Sequence, residues 1–345
     1  MEKMKLLLIT SSLIVTLSHA ADRKHIEVVG SSTVYPFAKM VAKKLGTGAL
    51  NAPKIKSTGS GLGIEFFCEG DELSTPDVVN ASRRMKKDEL MTCHDNGVND
   101  ITEALIGYDG IVMASSKKAP DFALTRQHLF DALAAKVPDP KDNSRLIDNP
   151  YQTWSQIDAS LPSVKIAVFG PPLTSGTRDT FEELVLEAGC QKYDWINELK
   201  SSDKKAYKKI CHAVREDGAY DSSAGENDGV LVRRLSHNVN ALGILGYSFL
   251  EKNAKKLKGH AIEGVQPSAE TIASGEYPVS RPLYFYVKNS HVSKVPLLKR
   301  YTLLFFSVFM SGEKGMLTKH GLIPLNKDGI NAMKQRLRER TLLQL

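Results

Sequence analysis

The sequence predicts an α/β protein of two domains. Two observations lead to this prediction: strand-like and helix-like segments alternate along the chain, and its 345 residues exceed what one hydrophobic core usually serves. Such alternation is typical of layered α/β structures whose strands are mostly parallel. The sequence contains no internal repeat and no low-complexity linker.

Apolar runs and the helical spacing of apolar residues predict the individual elements. The runs predict strands at residues 26–30, 54–57, 78–82, 106–115, 164–169, 243–250 and 283–287. Helical spacing predicts helices at residues 37–45, 178–188 and 334–340, and a further helix that starts within residues 64–68. Two stretches rich in Pro, Gly, Ser, Asp and Asn, at residues 138–150 and 217–228, are predicted to be loops.

The first twenty residues have the pattern of an export signal. Lys3 and Lys5 precede an apolar stretch at residues 6–17, and Ser18 and Ala20 are small residues where a signal peptidase cuts. The stretch is too short to remain as a membrane span. We therefore expect cleavage after Ala20 and a soluble, exported protein.

Four cysteines remain after this cleavage, namely Cys68, Cys93, Cys190 and Cys211. An even number in an oxidising compartment predicts two disulfides, with three connectivities open. The favoured one joins neighbours along the chain, Cys68 with Cys93 and Cys190 with Cys211, and each bond would stabilise the fold by roughly 2–4 kcal/mol. No Cys-x-x-Cys motif is present and the histidines are scattered, so we expect no metal site and no cofactor.

The formal net charge of +7 makes the chain basic. A basic exported protein favours anionic partners, although an ordinary basic surface explains the charge equally well. The densest basic run, residues 334–340, is interrupted by Leu337 and Glu339. No basic stripe is interleaved with aromatic residues, so we expect no nucleic-acid partner.

Three segments share one design, at residues 30–37, 57–64 and 173–179. Each follows a predicted strand, precedes a predicted helix, and is rich in Ser, Thr and Gly. A helix start presents unpaired amides and the positive end of the helix dipole, which together can bind an anion. Any one segment alone fits an ordinary helix cap. Three such segments on both predicted domains indicate a shared anion site.

Other motifs that use Gly and Ser do not fit these segments. The second segment lacks the Gly-Lys-Ser/Thr of a phosphate-binding P-loop. Neither Ser60 nor Ser175 is the centre of a Gly-x-Ser-x-Gly nucleophile elbow, because residues Thr58 and Leu173 stand where that motif has Gly. We therefore expect a binding protein and not an enzyme, with an exported phosphoester hydrolase as an alternative.

Three charged residues near the segments are candidate ligand contacts. Arg178 ends the third segment and Arg83 follows a predicted strand, and a guanidinium can make paired bonds to a tetrahedral anion. A surface ion pair is the alternative for each. Asp109 lies in an apolar strand and needs a partner, either Arg83 or a proton carried by the ligand. A carboxylate acceptor would favour protonated phosphate over sulfate.

At these residues the chain resembles the periplasmic phosphate-binding proteins of ABC transporters. The matching motifs are GSSTVYP at 30–36, TGSGLG at 58–63, ASR at 81–83, TSGTR at 174–178, LGILGY at 242–247 and GLIPL at 321–325. The resemblance implies a two-lobed type II periplasmic binding protein fold with two crossing strands. Together with the sequence pattern, it implies that residues 21–112 and 281–345 form lobe one and residues 113–280 form lobe two.

The resemblance also implies a function and a set of ligand residues. The expected function is the capture of inorganic phosphate between the lobes and its delivery to the membrane permease of an ABC importer, by a monomer in the periplasm. Sulfate or molybdate is the alternative ligand. The expected ligand residues are Thr33, Val34, Ser60, Ser175, Gly176 and Thr177, with Ser32 as a neighbour and Arg83, Asp109 and Arg178 as the charged candidates.

The chain departs from the resembled family at two places. Arg83 follows Ser82 where well-known members have Asp, and Pro171 and Pro172 stand where those members have Arg. We hypothesise that Arg178 replaces the missing Arg and Asp109 the missing Asp.

Overall fold

The computed structural model describes residues 23–46, 52–173, 175–225 and 228–345. The predicted leader and its cleavage site at Ala20 lie outside these ranges, so the export signal stays a prediction. Over the described ranges, no helix combines the length and the apolar character that crossing a bilayer requires.

Buried apolar runs form the strands. Val28, Val29, Val78 and Val79 are at most 5% exposed, as expected for strands that are covered on both faces. The strands are β1 (Glu27–Gly30), β2 (Lys54–Ile55), β3 (Val78–Ala81), β4 (Ile101–Ser116), β5 (Lys136–Asp139), β6 (Asp142–Asp148), β7 (Val168–Phe169), β8 (Tyr220–Asp221), β9 (Leu242–Gly246), β10 (Leu257–Gly259), β11 (Ser280–Lys288) and β12 (Ile323–Pro324).

Most helices are short and bury one apolar face. In the first helix Phe37, Ala38 and Val41 are buried, whereas Lys39 and Lys43 are exposed. The helices are α1 (Tyr35–Lys44), α2 (Ser60–Phe67), α3 (Lys87–Asp95), α4 (Arg126–Leu133), α5 (Gly176–Phe181), α6 (Glu187–Cys190), α7 (Asp194–Ser202), α8 (Lys204–Cys211), α9 (Asp228–His237), α10 (Tyr247–Lys252), α11 (Ala269–Ser274), α12 (Asn289–Val292), α13 (Leu298–Leu304), α14 (Val308–Ser311), α15 (Met316–Lys319) and α16 (Lys327–Glu339). A 3₁₀ turn lies at Trp154–Gln156, and a π-helical turn at Glu182–Leu186 connects α5 to α6.

One large sheet has the strand order β2-β1-β3-β11-β4-β9-β7-β8, and β10 and β12 also pair with β4. β1 is parallel to β2 and β3, and β7 is parallel to β8 and β9. Between these parallel groups, β4 and β11 are antiparallel to each other and to their outer neighbours. The prediction of mostly parallel strands is therefore wrong, because the two central strands reverse direction where the groups join.

β4 carries the chain from one hydrophobic core to another. Its residues 101–110 pair with β11, and its residues 111–114 pair with β9. One core cluster is built from residues 111–279 with Ile323, and we call the part of the chain around it lobe two. Two further clusters come from residues 26–106 and 283–343 and define lobe one. The predicted lobe borders, at residues 112/113 and 280/281, stay a prediction.

Four local predictions are wrong, and one of them is the loop at 217–228, which contains β8. Residues 138–150, predicted to be a loop, include β6 and the end of β5, which pair as an antiparallel hairpin joined by an ion pair between Arg145 and Asp139. Composition does not show this pairing, because it depends on cross-strand contacts. The predicted strand at 243–250 ends at Gly246, where α10 begins. The helix predicted to start within 64–68 already begins at Ser60.

Both favoured disulfides are confirmed. Cys68 pairs with Cys93, and Cys190 pairs with Cys211. The first bond joins the end of α2 to α3 in lobe one, and the second joins α6 to α8 in lobe two. Each bond therefore closes a short loop within one lobe.

Candidate functional site

The first two predicted turns lie side by side at the ends of β1 and β2. The amides of Thr58 and Gly59 both donate to the Gly30 carbonyl oxygen, at 2.9 and 3.0 Å. Gly63 packs against the same turn, and a Cβ atom there would lie 2.4 Å from the Gly30 Cα. The glycines therefore permit a close approach of two backbone segments that a larger residue would prevent.

The helices that follow the turns begin in different ways. At α5 the Ser175 Oγ accepts a hydrogen bond from the Thr177 amide at 3.2 Å, which is the predicted hydroxyl cap. α1 and α2 have no side-chain cap. At the start of α2, the Ser60 hydroxyl instead accepts from the Ser82 amide at 3.0 Å, across to the end of β3. The first turn of α2 therefore has no side-chain acceptor for its amides, as an anion site requires.

Both lobes line a cavity of about 690 Å³, which we call the large cavity. Lobe one supplies the first two turns and the residues after β3. Lobe two supplies α5 with its π-helical continuation, and α8. The residues that line the large cavity include Ser32, Ser60, Ser82, Arg83, Glu183 and Arg281.

A second cavity of about 500 Å³, the small cavity, lies next to the large one. Ser175 and Thr177 of the third turn line this cavity, whereas Asp179, at the end of the same segment, lines the large one. Its polar lining residues include Ser32, Thr33, Asp109, Ser175 and Thr177. Ser32 lines both cavities, so the first turn lies where the two cavities meet.

The lobes contact each other directly at this shared turn. The Ser32 hydroxyl donates to Asp179 Oδ2 at 2.6 Å. The hydroxyl oxygens of Thr33 and Thr180 lie 3.4 Å apart, and both residues are buried. The first turn of lobe one and α5 of lobe two therefore meet through polar side chains.

Arg281 occupies the centre of this contact. It is the second residue of β11 and is 6% exposed. One terminal nitrogen, Nη1, donates to Ser82 Oγ and to Glu183 Oε2, each at 3.1 Å. The other, Nη2, donates to the hydroxyl oxygens of Thr33 and Thr180. A single guanidinium therefore joins groups from both lobes.

Asp109 lies opposite Arg281 in the pairing of β4 with β11, with its Oδ2 3.8 Å from the Arg281 Nε. Burial raises the pKa of Asp109, and the guanidinium opposes this shift only in part. Of the two alternatives for Asp109, the ion pair with Arg83 is wrong. Arg83 instead donates to both carboxylate oxygens of Glu89, at 2.6 and 2.9 Å, because α3 places that side chain beside it.

A sequence profile described as a PBP superfamily domain matches residues 16–311 of the chain. The chain belongs to this superfamily. Protein SphX from Synechococcus elongatus is 27% identical over 337 residues, which cover 96% of this chain and 86% of that protein. The phosphate-binding protein PstS from Staphylococcus epidermidis is 30% identical over 269 residues, which cover 75% of this chain and 67% of that protein.

A solved structure supports the same assignment. The crystal structure of a possible phosphate binding protein from Planctomyces limnophilus is 27% identical to this chain, with a TM-score of 0.71. The match covers 92% of this chain and 98% of that one. The predicted fold class, an α/β two-lobed type II periplasmic binding protein fold, is thereby confirmed.

In this PBP superfamily chain, most of the predicted ligand residues line the two cavities. Ser32 lines both, Ser60 and Arg83 line the large cavity, and Thr33, Asp109, Ser175 and Thr177 line the small cavity. Neither Val34 nor Arg178 is among the lining residues of these two cavities. Val34 is fully buried and Gly176 is the first residue of α5. That these residues contact a ligand stays a prediction.

Arg178 is held by partners in its own lobe. Its Nε donates to Glu182 Oε1 at 2.6 Å, and its guanidinium lies 4.9 Å from the centre of the Tyr220 ring. The residue is buried. To contact a ligand, Arg178 would have to give up its hydrogen bond to Glu182 or its contact with the Tyr220 ring.

Sequence reasoning did not single out Arg281 or Thr180. Arg281 carries a usable signal, because it lies just before the predicted strand at 283–287, where a charged side chain needs a buried partner. Thr180 has no such signal, since a Thr within a short helix is ordinarily structural.

The lobe-two wall of the large cavity contains a charged cluster. His212 Nε2 lies 3.1 Å from Glu187 Oε2, and His212 Nδ1 lies 3.5 Å from Glu182 Oε2. Burial disfavours the charged imidazolium, but hydrogen bonds with the two carboxylates outweigh burial and raise the pKa of His212 to about 9. His212 is therefore positive at neutral pH, alongside Lys204 and Lys208 on the same wall. Within the described ranges, no His, Cys, Asp and Glu side chains are grouped so that three or more could hold a metal ion.

Proposed function

We propose that this chain is an exported solute-binding protein that captures inorganic phosphate between its lobes and delivers it to the permease of an ABC importer. It would act in the periplasm as a monomer and perform no covalent chemistry. Two relatives that support the proposal carry the names phosphate-binding protein PstS and possible phosphate binding protein.

The observation that carries the proposal is the convergence of hydrogen-bond donors from both lobes. The hydroxyls of Thr33 and Ser82 in lobe one and Thr180 in lobe two surround the Arg281 guanidinium. A tetrahedral oxyanion needs donors from several directions, and charge-assisted bonds are the strongest of them. Since the donors belong to two lobes, a bound anion would favour the arrangement in which the lobes touch.

Titration calorimetry with phosphate, arsenate, sulfate and molybdate tests the ligand. We expect phosphate to bind more tightly than sulfate and molybdate. If sulfate or molybdate binds more tightly than phosphate, that anion is the ligand and the proposal is wrong. A phosphoesterase assay with added divalent metal ions tests the hydrolase alternative, and turnover there would contradict a purely binding role.

Asp109→Asn tests the discrimination between phosphate and sulfate. Phosphate keeps a proton near neutral pH that the Asp109 carboxylate can accept, whereas sulfate would face that carboxylate without a proton. The variant should weaken phosphate binding by at least about 1.5 kcal/mol and should bind sulfate better than the parent does. Asp121→Asn, at a carboxylate that is 92% exposed, is the matched control. Unchanged selectivity would exclude Asp109 as the discriminating residue.

A further inference from the structure

Arg281 is a buried cation near three carboxylates, those of Asp109, Glu183 and Asp179, and of these only Glu183 accepts a hydrogen bond from its guanidinium. Asp109, whose side chain is 16% exposed, has its Oδ2 3.8 Å from Nε, and Nε has no hydrogen-bond partner among the described residues. Glu183 is closer, at 3.1 Å, but its side chain is 56% exposed, so water screens that interaction. A buried charge ordinarily requires a close, buried counter-charge. The guanidinium therefore has no close, buried counter-charge in this arrangement, and an anion that displaced Glu183 could supply one.

The groups around Arg281 are suited to such a negative group. Thr33, Ser82 and Thr180 accept hydrogen bonds from the guanidinium through their hydroxyl oxygens. A hydroxyl can donate as well as accept, and in this arrangement the Thr33 and Ser82 hydroxyls lie next to the hydroxyls of Thr180 and Ser60, at 3.4 and 3.1 Å. An oxyanion beside Arg281 could accept from these hydroxyls and from the guanidinium together, which no neutral ligand could do equally well.

The other two arginine candidates have carboxylate partners within hydrogen-bond distance. Arg83 makes two hydrogen bonds to Glu89. Arg178 makes one to Glu182, at 2.6 Å. An anion that bound either residue would have to compete with a carboxylate at full hydrogen-bonding distance, whereas at Arg281 it would compete with hydroxyls and a solvent-exposed Glu183.

We infer that Arg281 is the cationic ligand for the bound phosphate, in the role that the sequence suggested for Arg178. The phosphate would accept from the Arg281 guanidinium and displace the Glu183 carboxylate from it. This inference rests on the proposed function. If the inference holds, Glu183 competes with phosphate, because the Glu183 carboxylate accepts a hydrogen bond from the Arg281 Nη1 that phosphate would also use.

Calorimetry with inorganic phosphate tests the inference on a set of charge variants. Arg281→Gln should weaken phosphate binding at least about tenfold, the loss expected for a charge-assisted hydrogen bond. Arg281→Lys should fall between the parent and Arg281→Gln, because a lysine keeps the charge but not the planar fork. Glu183→Gln should tighten binding. Arg126→Gln, which breaks the ion pair with Glu263, is the control for loss of an arginine elsewhere and should change nothing.

A double variant controls for effects on folding. Arg281→Gln alone leaves Asp109 without its neighbour, so Asp109→Asn combined with Arg281→Gln removes both charges together. The double variant should keep the parent's circular dichroism spectrum and bind phosphate at least about tenfold more weakly than Asp109→Asn alone does, so that the loss is due to Arg281. If folded Arg281 variants bind within twofold of the parent, the inference is wrong. If the parent itself does not bind phosphate, the proposed function fails instead.

Discussion

Asp131, in α4, is a carboxylate buried away from the candidate site. It is 6% exposed and accepts a hydrogen bond from the Tyr193 hydroxyl at 2.7 Å. Burial raises the pKa of Asp131 to about 6, and the Tyr193 hydrogen bond opposes this shift only in part. The folded protein therefore binds this proton more tightly than the unfolded chain, and the contribution of Asp131 to stability falls as the pH rises from about 4 to about 6.

Asp131→Asn should stabilise the protein at neutral pH. The amide oxygen can still accept from Tyr193, and the cost of a buried negative charge is removed. We expect the free energy of unfolding at pH 7.5 to rise by about 1–3 kcal/mol, and its decline between about pH 4 and 6 to become shallower. Urea unfolding across this pH range measures both effects. A variant that is less stable than the parent at pH 7.5 would refute the assignment.

At the candidate site, Arg281 and Asp109 likewise carry charge in a place where burial makes charge costly. Each is a charged residue in a largely buried strand, and each has the other as its neighbour. Apolar residues could fill these positions at lower desolvation cost. The presence of two charges at the lobe contact is therefore more consistent with binding than with stability.

Among the elements, the helical segments beside the large cavity are joined by His212, by a disulfide, and by a hydrogen bond from the Tyr207 hydroxyl to Glu187 at 3.1 Å. His212 follows α8 and contacts Glu182 in the π-helical turn and Glu187 in α6. The disulfide between Cys190 and Cys211 joins α6 to α8 next to it. The hydrogen bond from His212 is the main reason why the pKa of Glu187 is lowered to about 2.

His212→Gln should weaken this connection in a pH-dependent way. The pKa of His212 is raised to about 9 in the folded protein, so its stabilisation is complete below about pH 6.5 and disappears as the pH rises through 9. At pH 6.5 the variant should be less stable by about 1–2 kcal/mol, and by pH 10 the difference should vanish. His237→Gln, at an exposed position on α9, serves as the control. Chemical denaturation at both pH values is the measurement, and a pH-independent loss would point to packing instead of charge.

For the molecule as a whole, the candidate site depends on how the lobes are placed. The contacts of Ser32 with Asp179, and of Arg281 with Thr180 and Glu183, join lobe one and β11 to α5 and the π-helical turn of lobe two. A ligand that bonds to both sides would shift the molecule toward this closed arrangement. A ligand with equal affinity for open and closed forms would shift nothing.

Phosphate should therefore make the protein more compact in solution. Small-angle X-ray scattering should show a smaller radius of gyration at saturating phosphate than without it, while sulfate at matched ionic strength should leave the curve unchanged. Ser32→Ala, which removes the hydroxyl that meets Asp179, should reduce the fraction of closed molecules at a given phosphate concentration. Superimposable scattering curves from protein whose phosphate binding is verified would rule out lobe closure as the response.

Local sequence determined much of this protein. The alternation of apolar runs with helical spacing is sufficient for an α/β fold, because secondary structure follows patterns within a few residues. The three Ser-, Thr- and Gly-rich turns are strand-to-helix junctions as predicted, and the disulfides join neighbouring cysteines. These features depend on residues that are close along the chain.

Tertiary packing determined the charge pair at the centre of the candidate site. Arg281 lies beside Asp109 because β11 runs antiparallel to β4 in one particular register, and a shift of one residue would turn either side chain to the other face. The pairs of Arg83 with Glu89 and of Arg178 with Glu182 are local by contrast, six and four residues apart, and the second is the i, i+4 spacing of a helix. Register arises from the burial of whole faces of strands, so no short segment encodes the pairing of Arg281 with Asp109.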